Sequence, residues 1–115
     1  LAREEEDAMI VVRTELQAKF GFGSVLSGMI AEAIESLTGY EELKGIRWRV
    51  MSGLTGNFDM VTLEVEAESL QAWDKLRLIV FSVPGFVDAM NAAQEITNSG
   101  TQQFLTIEAS DRDYD

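Results

Sequence analysis

The chain has 115 residues, 46% hydrophobic and 25% charged, with 20 acidic against 9 basic side chains and a net charge of −11. That describes one domain, long enough to bury a single core and too apolar to stay disordered. With no Cys and no His, disulfides, thiolate chemistry, Ser–His triads and the usual histidine haem ligand are excluded.

The first seven residues hold Glu4, Glu5, Glu6 and Asp7 and read as a solvated acidic tail. A signal peptide would begin with basic residues, and no apolar run reaches the roughly 18 residues of a membrane span. A soluble, cytoplasmic protein is expected, and its acidic surface should repel nucleic acid and anionic membranes. A single domain is expected over 8–109. Residues 8–16 are rich in β-branched types and predict the first strand. Gly21 and Gly23 then punctuate the chain. From Ser24 the period becomes helical through Val25, Leu26, Met29, Ile30, Ala33, Ile34 and Leu37, with Ser24 as N-cap and Gly39 as stop.

Residues 45–52 alternate, with Ile46, Trp48 and Val50 on one face and Arg47, Arg49 and Met51 on the other. Gly53 to Phe58, containing Gly56-Asn57, reads as a hairpin turn. Residues 59–67 alternate again, with Val61, Leu63 and Val65 against Met60, Thr62, Glu64 and Glu66. Ser69 caps a helix carrying Leu70, Trp73, Leu76, Ile79 and Val80, which Pro84-Gly85 breaks. A further helix should run from Phe86 to about Thr97. Asn98-Ser99-Gly100 would close it, and 102–109 would form the last strand. Residues 110–115 make a second acidic tail.

The order βαββαβ is that of the ferredoxin-like α+β unit. It implies a four-stranded antiparallel sheet with the helices on one face and the second helix broken at Pro84. The first strand would lie between the third and fourth, and the second at an edge. Ile46, Trp48, Val50, Val61, Leu63 and Val65 should face the helices. The opposite face should carry Val11, Arg13, Arg49, Met51, Met60 and Phe104. Glu15, Arg47, Thr62, Glu64, Glu66, Thr106 and Glu108 should join them.

Three segments carry a family resemblance: Leu54-Thr55-Gly56-Asn57-Phe58 leading into a strand, Glu68-Ser69-Leu70-Gln71-Ala72-Trp73 opening a helix, and Asn98-Ser99-Gly100 followed by Gln103-Phe104-Leu105-Thr106-Ile107-Glu108. In this order and spacing they resemble the NIPSNAP-like branch of the dimeric α/β-barrel superfamily, over residues 9–109. The resemblance implies a homodimer with two ferredoxin-like sheets packed face to face. The superfamily includes cofactor-independent monooxygenases and haem-degrading enzymes; the lack of His departs from the haem branches. The NIPSNAP-like branch supplies no catalytic motif to carry over, and the catalytic residues stay unassigned.

Candidate site residues follow from side-chain chemistry. Trp48 and Trp73 offer flat faces for an aromatic ligand, or are core. Tyr40, Asn57 and Ser52 can orient a polar group; otherwise Asn57 is a turn residue and Tyr40 a surface residue at a helix end. Arg13, Arg47 and Arg49 can hold a carboxylate, or pair with neighbouring glutamates. Gly21-Phe22-Gly23-Ser24 offers free amides to an anion, or is a strand-to-helix turn. Neither acidic run has calcium-loop spacing, so no metal is expected, and no cofactor. Two functions stand. One is a homodimeric protein binding an apolar or aromatic small molecule between sheet and helices, extending to a cofactor-independent monooxygenase-like enzyme. The other is a non-catalytic dimeric interaction module. The dimer face should use Val11, Arg13, Arg49, Met51, Met60 and Phe104, whose apolar members are more than a bare sheet face usually carries.

Overall fold

The computed structural model of the chain describes residues 9–53 and 58–111. Asn57, the Gly56-Asn57 turn, residues 1–8 and residues 112–115 lie outside the described residues. Strands β1 (Ile10–Ala18), β2 (Trp48–Ser52), β3 (Met60–Ala67) and β4 (Thr97–Thr106) and helices α1 (Gly23–Glu35), α2 (Leu70–Val80) and α3 (Pro84–Gln94) follow in the order β1-α1-β2-β3-α2-α3-β4. The sheet is antiparallel in the order β2-β3-β1-β4, as the pattern predicts.

Alternation decides which face is buried. Ile10, Val12, Ala18, Val61, Val65 and Ala67 share one face of the two central strands and are all buried. Leu26 and Ile30 of α1 pack on Ala18, Val61 and Ala93, with Val50 and Leu63 alongside. Trp73 of α2 leans on Ile10, Val12 and Ala67. Ala33, Leu37, Leu43, Val83 and Phe86 close a second cluster between the helices. Each fully buried Leu, Ile or Val contributes roughly 1.5–3 kcal/mol, so this register is strongly driven. Trp48, Val50, Val61, Leu63 and Val65 stand in register on the helix side, as expected.

Several boundaries move, each for a local reason. No side chain of α1 caps its start. Instead the Asp59 carboxylate, leading into β3, accepts the Gly21 and Gly23 amides at 2.9 Å each. The chain's own anion therefore fills the nest at Gly21-Phe22-Gly23-Ser24. Gly39 does not end α1; the helix stops at Glu35. There the Ser36 and Thr38 hydroxyls donate to the Ala33 and Glu35 carbonyls, competing with helix propagation. Ser69 caps α2 as expected, its hydroxyl accepting the Ala72 amide at 3.0 Å. Pro84 opens α3 rather than merely breaking α2, because its fixed φ and missing N–H suit a first turn. The two helices meet at 92°. No single helix among the described residues is long and apolar enough to cross a membrane.

The largest correction is β4. Asn98-Ser99-Gly100 lies inside the strand rather than closing a helix. Gly100 pairs with Leu16, and a Cβ there would meet Leu16 Cδ2 at 2.8 Å. The glycine permits that close approach. Phe104 pairs with Val12 and Thr106 with Ile10, so both belong to the helix side. Leu105, opposite Val11, takes the open face instead. Glu108 lies past the end of β4, and Ile46 and Arg47 precede β2.

Candidate functional site

Two places on this frame gather chemistry. The first is a cleft of about 560 Å3 between α2, the end of β3 and the segment leading into β2. Gly45, in a left-handed turn at φ 82°, bends the chain so that Lys44, Ile46 and Arg47 all line it. The Glu66 amide donates to the Arg47 carbonyl at 2.9 Å and pins this segment to β3. Helical spacing puts Ala72, Lys75, Leu76 and Ile79 of α2 on the opposite wall. Met9, Ile46, Ala67, Leu76 and Ile79 supply apolar surface; Glu42, Lys44, Arg47, Glu66, Glu68 and Lys75 supply charge. Its size is typical of small-molecule sites, about 300–1,000 Å3.

The second is the open sheet face. Arg49, Glu64 and Arg13 stand side by side on β2, β3 and β1. Glu64 is only 6% exposed, although the described helices pack on the opposite face of the sheet. Arg13 Nε donates to its carboxylate at 2.7 Å, and Arg49 donates through Nε at 2.8 Å and Nη2 at 2.6 Å. Burial alone pushes the Glu64 pKa up. The hydrogen bonds and charges of Arg49 and Arg13 outweigh that and hold it below the usual carboxylate range. Half-buried Val11, Met51 and Met60 and exposed Leu105 share this face.

The sequence candidates are not gathered in one place. Trp48, Val65, Val12 and Phe104 form one row across the sheet. Trp48 and Phe104 are thus three strand spacings, about 14 Å, apart. Trp73 meets Phe104 edge to face, with centroids 6.4 Å apart. Trp48 and Trp73 are both half-buried, and Tyr40 is exposed in the loop after α1. None of the three lines the cleft. Of the candidate arginines, Arg13 and Arg49 are paired with Glu64, whereas Arg47 reaches the cleft. Lys44, Lys75 and Leu76 gave no signal as site residues, because helix and turn patterns do not reveal which cations share a wall.

The fold is shared with solved structures. An NIPSNAP domain protein from Burkholderia xenovorans superposes with a TM-score of 0.75 at 13% identity, over 90% of this chain and 99% of that one. An NIPSNAP family protein from Agrobacterium tumefaciens gives 0.71 at 13% identity, over 84% and 90%. An antibiotic-biosynthesis-monooxygenase-like protein from Chloroflexus aurantiacus gives 0.67 at 12%, over 90% and 96%. At these identities the likeness establishes the ferredoxin-like α/β fold that the sequence resemblance implied. No family model and no curated protein matches the sequence.

Proposed function

We propose that this chain works as a homodimer, packed through its open sheet face, and that each protomer takes an apolar or aromatic small molecule between sheet and helices. The cleft between α2 and the β2–β3 side of the sheet carries the reading: it has the volume of a small-molecule site and sets an apolar wall of Met9, Ile46, Ala67, Leu76 and Ile79 beside six charged side chains. A monooxygenase-like structural neighbour is in keeping with chemistry on such a molecule. Any reaction here would lean on positioning and on the substrate's own reactivity, since the cleft's titratable side chains are Glu42, Lys44, Arg47, Glu66, Glu68 and Lys75.

Dimerisation is supported by Val11, Met51, Met60 and Leu105 on one sheet face, which they share with Glu64 and the two arginines paired to it. A two-fold contact would set each apolar group against its own copy.

Titration with Nile red, an uncharged apolar fluorophore, tests the binding claim. One saturable blue-shifted site per protomer is expected. Ala72→Trp, which fills the cleft from the α2 wall, should abolish it. Unsaturable binding, or unchanged binding by Ala72→Trp, would leave the interaction-module reading in its place.

A further inference from the structure

The cleft's cations point to the kind of molecule it takes. Among the described residues, Arg13 and Arg49 are bound to Glu64, Lys44 to Glu41 and Arg77 to Asp74. Lys19, Arg47 and Lys75 make no ion pair there, and two of these three line the cleft. In a chain whose acids outnumber its bases by 20 to 9, carboxylates for pairing are plentiful. Glu42 and Glu68 even line the same cleft, yet neither forms an ion pair with Arg47 or Lys75 among the described residues.

Arg47 is held by backbone, not by its guanidinium: its carbonyl accepts the Glu66 amide at 2.9 Å. Among the described residues the guanidinium has no ion-pair partner, which leaves its planar donor fork available for a two-point contact with a carboxylate. Lys75 borders the apolar stripe Ala72, Leu76 and Ile79 on the facing helix. A ligand spanning both would lay an apolar body on Ile46, Ala67, Leu76 and Ile79 while its acid group met the two cations. Glu42 and Glu68 limit the charge that can be added: one negative charge is answered by Arg47 and Lys75, and a second would face these two carboxylates.

We infer that the cleft binds an amphipathic monocarboxylate, with Arg47 and Lys75 holding the acid group and the α2 stripe holding the apolar part. This rests on the cleft reading above and adds the ligand's class to it.

Calorimetry at neutral pH with octanoate, octanol and octyl phosphate separates the two claims. Octanoate should bind about tenfold tighter than octanol, and tighter than the more highly charged octyl phosphate. Arg47→Gln and Lys75→Gln should each erode that advantage, and the double variant should remove it, with octanol binding unchanged throughout. Both side chains can be replaced without breaking an ion pair among the described residues. Equal binding of octanoate and octanol overturns the monocarboxylate assignment and leaves the cleft reading standing. Octyl phosphate binding tightest overturns the choice of a singly charged ligand. Octanoate binding unaffected by both substitutions overturns the role of these cations. No binding of any of the three overturns the cleft reading and this inference together.

Discussion

Replacing Glu64 by Gln keeps the side chain's volume and hydrogen-bonding oxygen but removes the charge that both arginines share. Each hydrogen bond to a charged group contributes about 1.5–3 kcal/mol where water is excluded. The Arg13 and Arg49 side chains are 38% and 67% exposed, so solvent screens much of that. A combined loss of about 1–2 kcal/mol is expected after that discount. The pH dependence has a definite sign. The folded carboxyl titrates below its ordinary 4.5, so folding favours the ionised form. The stabilisation is present in full above 4.5 and is lost as pH falls through the lower folded value. Urea unfolding of Glu64→Gln and the unmodified chain, at one fixed protein concentration, should therefore show the full gap at neutral pH. The gap should narrow as the pH is taken below 4.5. A gap that stays constant across this range would refute the ion-cluster argument, since a packing defect does not titrate.

Three further outcomes follow from the packing. Leu26→Ala, at a position with no exposure in the central cluster, should cost about 2–5 kcal/mol in the same unfolding assay; a loss under about 1 kcal/mol would mean that the core is elsewhere. Asp59→Ala removes the acceptor of the Gly21 and Gly23 amides and should cost about 0.5–2 kcal/mol, as loss of a helix cap does, with faster amide exchange at Gly23; unchanged exchange would contradict the capping role. Met51→Lys with Leu105→Lys, two open-face positions, should halve the mass seen by light scattering and leave the far-ultraviolet circular dichroism intact; a monomeric mass for the unmodified protein would remove the basis of the dimer.

What could be read in advance depended on whether periodicity or local competition decided the outcome. Val61, Leu63 and Val65 alternate cleanly and landed against the helices, because burying that set dominates any alternative register. Ser69 was legible as a cap, since one side chain and one turn settle it. β4 was not. Asn98-Ser99-Gly100 has turn composition, but it pairs with the end of β1, where Gly100 leaves room for the Leu16 side chain. That longer strand fixed the register in which Phe104 faces Trp73 rather than the open side. The start of α1 was obscured for the same reason: its cap, Asp59, comes from 36 residues further along the chain than Gly23. The cleft unites Arg47, Glu66 and Lys75 from three separate segments, a grouping that no one-dimensional pattern contains. Among the candidate arginines, pairing was anticipated for all three as one alternative, and it holds for Arg13 and Arg49.

The central claim is that a small molecule sits between α2 and the sheet. Hydrogen exchange of the full chain, with and without saturating Nile red, tests it most directly because it reports where the ligand acts. The account predicts slowed exchange confined to residues 44–47, 66–68 and 72–79. Slowed exchange confined to residues 10–18, 60–65 and 97–106, with those three segments unchanged, would contradict it.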